Sequence, residues 1–273
     1  LIYVSINGFG SNGPSASEPA YDPIIQARTG MIDQQRHPDT SDVDLMRNSI
    51  SDKVTSLTAA QAISAALFQR ERNGGGGRHI ELALLDATLA FYWPDGMMNQ
   101  TFLGEDVELQ TPISQANRVY RTKDGHIVIS AVQQKDIEGL CRALNCSDLL
   151  EDSRFATAPM RMANYGVWEA ELMTQLLKSE CEPLAAALRQ EEVPHSLVNN
   201  AEQVLQDPQV IARNLLNESI HPEAGSLLQV RPPAVVNEAS CDPARRQAPA
   251  LGEHTEEILL EAGYTRAFIE DLA

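Results

Sequence analysis

The sequence has no uninterrupted apolar run long enough to cross a bilayer, because its longest apolar stretches are broken by Gln, Asp or Gly. That excludes a helical membrane span, although 43% of the 273 residues are hydrophobic. Positive charge is scarce as well: 21 Lys and Arg stand against 38 Asp and Glu, a formal balance of -17. Proteins that hold nucleic acid neutralise phosphates with an excess of Lys and Arg, so no nucleic-acid partner is expected. Cysteine is sparse too. Cys141, Cys146, Cys181 and Cys241 lack metal-ligand spacing and read as free thiols of a reducing, cytoplasmic compartment. No signal peptide, internal repeat, low-complexity tract, serine-hydrolase pairing or zinc motif is visible. The chain opens without Met on Leu1-Ile2-Tyr3-Val4-Ser5-Ile6, which reads as a buried strand. The expectation is therefore a gene product that extends further towards the N-terminus.

What is present has the order of an α/β protein. The opening strand ends in a turn-rich loop, Asn7 to Pro14, that runs on to Pro19, and a short helical pattern occupies Pro23 to Met31. A polar loop over 36–44 leads to the most periodic segment, Asp52 to Arg72. There Val54, Leu57, Ala60, Ile63, Ala65, Leu67 and Phe68 predict a wide apolar stripe on a core helix. Four glycines, Gly74 to Gly77, stop that helix and turn the chain into an alternating strand, His79 to Leu84, followed by a helix from near Asp86. Helix, glycine turn, strand, helix is the grammar of an α/β domain. Beyond a polar stretch, Lys123-Asp124-Gly125 is a hairpin turn between two short strands and opens a smaller α+β region. Helices are expected near Asp136 to Leu144, Tyr165 to Leu177, Pro183 to Gln190, Ala201 to Leu205 and Thr255 to Ala262, with a strand at Ser226 to Val230.

Several motifs invite a chemical reading. Gly8-Phe9-Gly10-Ser11-Asn12-Gly13 matches the dinucleotide fingerprint in letters, but Pro14 and Pro19 leave no helix to begin inside it, so a tight loop with close backbone approach is expected instead. The Gly74 to Gly77 run follows a helix and precedes a strand, the wrong order for a phosphate loop. Asp52 stands at the start of the long helix after Ser49-Ile50-Ser51. As a first-turn acid it suits the helix dipole, with Ser49 or Ser51 as the cap; the same helix end would also keep a nucleophilic carboxylate ionised and offer N–H groups to an oxyanion. Tyr21-Asp22 could face a ligand from a Pro-flanked loop, or Asp22 could cap a short helix ahead of Pro23. His195, His221 and His254 lie in segments that look like loops and read as structural or surface residues. Tyr92 to Met98 is apolar enough to line a pocket, and core packing explains it equally well.

Three islands of sequence resemble the family III CoA-transferases, the formyl-CoA and carnitinyl-CoA transferase type. The first is Ile6-Asn7-Gly8-Phe9-Gly10 with Gly13-Pro14, Tyr21-Asp22-Pro23-Ile24-Ile25-Gln26-Ala27 and Thr29-Gly30-Met31. The second runs from Ser51-Asp52-Lys53 through Arg70-Glu71-Arg72 and the glycines to Ile80 through Ala87. The third is Leu251-Gly252-Glu253-His254-Thr255-Glu256-Glu257-Ile258-Leu259 with Gly263-Tyr264, and Arg154-Phe155-Ala156 and Asp207-Pro208-Gln209 fit between. The resemblance implies a Rossmann-like CoA-binding large domain, N-terminally incomplete, plus a smaller α+β domain, in an interlocked homodimer. On this expectation residues 1–104 belong to the large domain, 105–118 form a linker, 119–216 the small domain and 217–273 the return to the large domain.

The same resemblance makes Asp52 the catalytic carboxylate and places the coenzyme A loop on Pro19, Ala20, Tyr21 and Asp22. Some relatives carry Lys at the position of Pro19, a charged contact this chain cannot make. Coenzyme A would enter as co-substrate, with no metal. A racemase of α-methylacyl-CoA type shares the fold but needs a His and a Glu as bases where this chain has Tyr21 and Gln133. A non-catalytic CoA-binding fragment is the other alternative.

Overall fold

The computed structural model describes residues 1–36, 42–109, 118–236, 239–240 and 248–272. The expected polar loop over 36–44 falls partly outside these residues, as do most of the linker expected over 105–118 and Cys241. The described chain divides into two compact units, Leu1–Leu197 and Val198–Ala273.

The first unit begins with β1 (Ile2–Asn7), then α1 (Asp22–Arg28), α2 (Met31–Gln34) and α3 (Ile50–Arg72), before β2 (Arg78–Ala83) and α4 (Leu84–Gly96). β1 and β2 are parallel neighbours, from Ile2 opposite Arg78 to Asn7 opposite Ala83. A parallel pair needs a long crossover, and α1 to α3 supply it. The expectation of a buried first strand is corrected: Leu1, Tyr3 and Ile6 are exposed, since among the described residues the sheet has these two strands alone.

The long helix lies where its periodicity places it, and the glycine run ends it. Asn73 is the C-cap, Gly74 takes φ +71°, and Gly75 N–H donates to the Arg70 carbonyl at 2.9 Å, closing the last turn as a Schellman-type stop. Its buried seam differs from the expected stripe. Ser51, Val54, Thr55, Ala59 and Ala66 are buried, whereas Leu57 is 72% and Phe68 64% exposed. The buried positions are thus mostly small or polar, while Leu57, although exposed, stands beside Ala87, Ala90 and Phe91 of α4, against which α3 packs. On α4, a Cβ at Gly96 would lie 1.8 Å from the Tyr92 ring, so glycine makes room for that ring in the buried face. Tyr92 to Met98 therefore serves core packing at Tyr92 and Gly96.

Further along, β3 (Val119–Arg121), β4 (His126–Ile129), α5 (Gln134–Ala143), α6 (Ala158–Ala163), α7 (Tyr165–Leu176), α8 (Cys181–Gln190) and β5 (His195–Leu197) build an antiparallel sheet of order β3-β4-β5 covered by helices. The predicted turn holds the hairpin: Thr122 and Gly125 exchange bonds, and the Asp124 carboxylate accepts the Cys181 N–H at 2.8 Å, fixing the start of α8. Ile127, Leu140, Leu144, Trp168, Leu172, Leu184 and Leu188 form the core around Phe155, which is fully buried and meets Trp168 edge-to-face at 5.2 Å. Cys141, Cys146 and Cys181 are free thiols.

The second unit carries α9 (Ala201–Gln206), α10 (Pro208–Ala212), the antiparallel pair β6 (Leu216–His221) and β7 (Gly225–Val230), the short pair β8 (Val235–Val236) and β9 (Ala239–Ser240), then α11 (Thr255–Glu261) and α12 (Arg266–Leu272). Asp207 accepts the N–H groups of Gln209 and Val210 and so caps α10. The reading of His195 and His221 as loop residues is corrected, since they open β5 and close β6. His221 Nε2 bonds the Ala248 carbonyl while Nδ1 accepts two backbone N–H groups, a structural role.

Truncating Phe155 to Ala should open a cavity in the small core and cost about 3–5 kcal/mol of stability. Urea unfolding checks this. A midpoint unchanged from the parent would contradict the place of Phe155 in the core.

Candidate functional site

The carboxyl ends of β1 and β2 are where an open parallel sheet offers a ligand crevice, and the predicted site residues gather there. β1 runs into Gly8, whose carbonyl accepts the Leu85 N–H of α4 at 3.0 Å. A Cβ on Gly8 would lie 2.3 Å from the Ala20 Cβ, so the absence of a side chain at Gly8 lets the 19–21 loop close onto the end of the strand. The Gly8 to Gly13 segment forms bends and no helix, with Gly10 at φ +93° and Gly13 at φ +90°. Asn7 accepts the Gly10 N–H, and Glu81 of β2 accepts that of Ser11 at 3.1 Å. Arg28 braces the loop from α1, with its guanidinium on Ser15 Oγ (3.0 Å) and over the Phe9 ring.

Asp22 is the joint of the site. It is 6% exposed, and its Oδ2 accepts the main-chain N–H of Asp52 at 3.1 Å while Oδ1 accepts Gln26 Nε2 at 2.6 Å. Two expectations change here. Neither Ser49 nor Ser51 caps α3 with its side chain; Asp22, thirty residues away, does so. Nor is Asp22 the cap of its own helix, because Tyr21 holds that position and Asp22 sits in the first turn of α1. Ser51 Oγ is fully buried and has no hydrogen-bond partner among the described residues, which excludes it as a cap.

Gln26 completes the joint. Its Nε2 also faces the carbonyls of Met46 and Asn48, both at 3.2 Å, and its Oε1 accepts the Met46 N–H at 3.0 Å. One buried amide thus holds the chain just before α3 and orients the carboxylate that caps α3. Reading the sequence for chemistry assigned Gln26 no role. The available signal was its i,i+4 spacing from Asp22, at which Asp and Gln side chains meet on a helix.

Asp52 lies in the first turn of α3 with its side chain exposed. Among the described residues no donor bonds its carboxylate. Its neighbour Lys53 reaches Asn48 Oδ1 at 2.6 Å, which keeps an ammonium group beside the helix start. Pro19 and Tyr21 face solvent, Tyr21 at 78% exposure, and Ala20 is half-buried against Gly8. The structure therefore ties Asp22 to Asp52 directly and anchors Ala20 to the strand end, while Pro19 and Tyr21 present their side chains outward. Gln133 is the N-cap residue of α5, and Asp136 Oδ2 turns back to accept the Gln133 N–H at 2.9 Å.

A carboxylate at the first turn of a 23-residue helix is favoured by the helix dipole. Exposed, and unbonded among the described residues, it can reach a carbonyl carbon presented from solvent. Among the described residues no three His, Cys, Asp or Glu side chains cluster as a metal site, and no helix is long and apolar enough to cross a membrane.

Comparison with known proteins bears on this geometry. The family model described as CoA-transferase family III matches residues 1–255. A succinate–glutarate CoA-transferase of Agrobacterium fabrum is 31% identical over 96% of this chain and 65% of its own length. An acetyl-CoA:oxalate CoA-transferase of Acetobacter aceti is 30% identical over 80% of this chain and 57% of its own. Among solved structures, a CAIB/BAIF family protein from Brucella suis superposes with a TM-score of 0.77 at 28% identity, covering 96% of this chain and 68% of that one. The chain thus spans less than two thirds of the length of these two CoA-transferases.

Replacing Asp22 by Asn should leave one of its two bonds unmade in a buried place, at a cost of about 1–3 kcal/mol. Hydrogen exchange is the sharper measurement: the Asp52 amide should lose protection relative to amides in the middle of α3. Unchanged protection would show that another group caps the helix.

Proposed function

The chain belongs to CoA-transferase family III, and we propose that it moves coenzyme A between an acyl-CoA thioester and a free carboxylic acid with Asp52 as the attacking carboxylate. The observation that carries this reading is the state of Asp52. Its amide is held by Asp22, while its carboxylate stands exposed at the start of α3 with no bonding partner among the described residues.

The chemistry follows from a carboxylate in that position. An Asp52 oxygen attacks the thioester carbonyl, the C–S bond breaks, and a mixed anhydride and free CoA thiolate result. The thiolate attacks the aspartyl carbonyl of the anhydride, giving an enzyme-CoA thioester and releasing the donor acid as its carboxylate. An acceptor carboxylate then attacks that thioester, and the displaced thiolate takes the acceptor's acyl group as the new acyl-CoA, restoring Asp52. Each step exchanges one carboxylate or thiolate for another, so no net proton transfer is required. The N-terminal amides of α3 and the nearby Lys53 ammonium suit the negative charge that develops at each tetrahedral stage.

Coenzyme A is placed on the loop of Pro19, Ala20, Tyr21 and Asp22, whose position is set by the contact of Ala20 with Gly8. A soluble cytoplasmic enzyme working as an interlocked homodimer, with the large domain built from residues 1–104 and 217–273 and the small domain from 119–216, belongs to the same proposal. So do dicarboxylic acids as substrates, since relatives are named for succinate, glutarate and oxalate.

Asp52→Ala should lower CoA transfer from succinyl-CoA by at least about 10^4-fold, the scale of losing a covalent nucleophile. The unfolding midpoint should stay at the parent value, because the side chain is exposed and makes no bond among the described residues. With acyl-CoA present, hydroxylamine should mark the peptide containing Asp52. Retained transfer, a mark on a different peptide, or α-carbon deuterium exchange without transfer would each overturn the assignment.

Gly8→Ala gives a second test, aimed at the loop. The added Cβ forces Ala20 off the strand end, so KM for acyl-CoA should rise by about tenfold while kcat changes less. An unchanged KM would remove the 19–21 loop from CoA binding.

A further inference from the structure

Arg161 of α6 carries its charge almost entirely inside the protein, at 7% exposure. The guanidinium donates to the Phe155 carbonyl at 2.8 Å and to Gln134 Oε1 at 2.6 Å. Both acceptors are neutral. They occupy two of the five guanidinium N–H donors and leave the charge uncompensated. Among the described residues no carboxylate pairs with Arg161, although Arg118, Arg142 and Arg154 each have an acidic partner. A buried ion costs several kcal/mol unless a counter-charge offsets it, so this one is out of balance.

The same side chain lines a cavity of about 300 Å³ between the sheet, α5, α6 and α7. Its walls are largely apolar, with Ile129, Leu140, Trp168 and Leu172 among them. Glu169 also lines the cavity, but its Oε1 is engaged by Arg118 at 2.9 Å and by the Tyr165 hydroxyl at 3.3 Å. Tyr120 lines it too. Burial, with Tyr165 and Glu169 nearby, pushes that phenol up to about 12, so it stays protonated and able to donate at neutral pH.

From these features we infer that the cavity binds a small monocarboxylate with an apolar body, its carboxylate on Arg161 and its hydrocarbon against Trp168 and Leu172. A single negative charge matches the one cation that lines this cavity among the described residues. Phosphate esters fit less well, because a dianion would bring excess charge and a strongly held hydration shell among apolar walls. The volume stands at the small end of ligand sites, roughly 300–1,000 Å³, which suits a small ligand. This inference rests on Arg161 and the cavity and holds whatever chemistry Asp52 performs.

Octanoate and its uncharged isostere octanamide are the probes, titrated into the full chain by calorimetry and followed by Trp168 fluorescence in a Trp93→Phe background. Octanoate should bind, with octanamide weaker by about tenfold or more, the scale of a charge-assisted hydrogen bond. Arg161→Gln should abolish the preference for the acid. Because that change could also disturb the fold through Phe155 and Gln134, Ala131→Phe provides a second variant: it fills the cavity from its wall and leaves Arg161 in place. It should remove octanoate binding at an unchanged melting temperature. Equal binding of acid and amide, octanoate binding by Ala131→Phe as tight as by the parent, or no octanoate binding at millimolar concentration would each overturn the site. None of these readouts depends on CoA transfer.

Discussion

The bond from the Asp52 amide to the Asp22 carboxylate joins the parts of the first unit that must meet for any chemistry at Asp52. A helix leaves its first N–H groups without intrahelical partners, and capping one contributes on the order of 1 kcal/mol. Here the acceptor comes from the first turn of another helix, so the same bond that completes α3 also sets α1 against it. Gln26 makes the arrangement rigid. By bonding Asp22, the Met46 backbone and the Asn48 carbonyl, it fixes both sides of the approach to α3. Buried polar groups of this kind favour a single geometry because each unmade bond carries a desolvation penalty.

Two close approaches bring the rest of the site to that joint. Gly8 lets Ala20 rest on the end of β1, and its carbonyl holds the start of α4 through Leu85. The buried positions of α3 are mostly small or polar, and α3 packs against α1, α4 and both strands. Strand end, loop, and the beginnings of α1, α3 and α4 therefore converge through these short contacts. The geometry is over-determined by short contacts rather than by a large hydrophobic core.

What could be read from the residues was local. The 50–72 helix declares itself by period, the glycine run by its place after the helix, and the 119–129 hairpin by Lys123-Asp124-Gly125, because each depends on neighbours within a few residues. Which side of α3 is buried was not legible: Leu57 and Phe68 look like core by hydrophobicity, yet both are exposed and the buried positions are mostly small or polar. β5 and β6 were missed as strands because they are recognisable mainly through what they pair with, Ile129 for His195 and Gly225 for His221. The roles of Asp22 and Gln26 were hidden for a similar reason. Their partners lie twenty to thirty residues away, and a single sequence shows which residues are neighbours in the chain but not in space.

The cap from Asp22 also explains how Asp52 can be both a helix-start acid and a chemically available carboxylate. Ser49 and Asp52 stand three apart at the N-cap and third helical positions, the spacing of a reciprocal capping box. In such a box the Ser49 hydroxyl would accept the Asp52 N–H, and the Asp52 carboxylate would turn back onto the Ser49 N–H. Asp22 takes the Asp52 N–H instead, so the serine half of the box is not made and the carboxylate is not drawn back. The helix keeps its cap while the first-turn acid keeps its lone pairs. Asp136 shows the alternative in the same chain, where the third-position acid turns back to accept the N–H groups of Val132 and Gln133 and its carboxylate is consumed by structure. The difference between a structural acid and a reactive one at a helix start here is a single acceptor supplied from elsewhere.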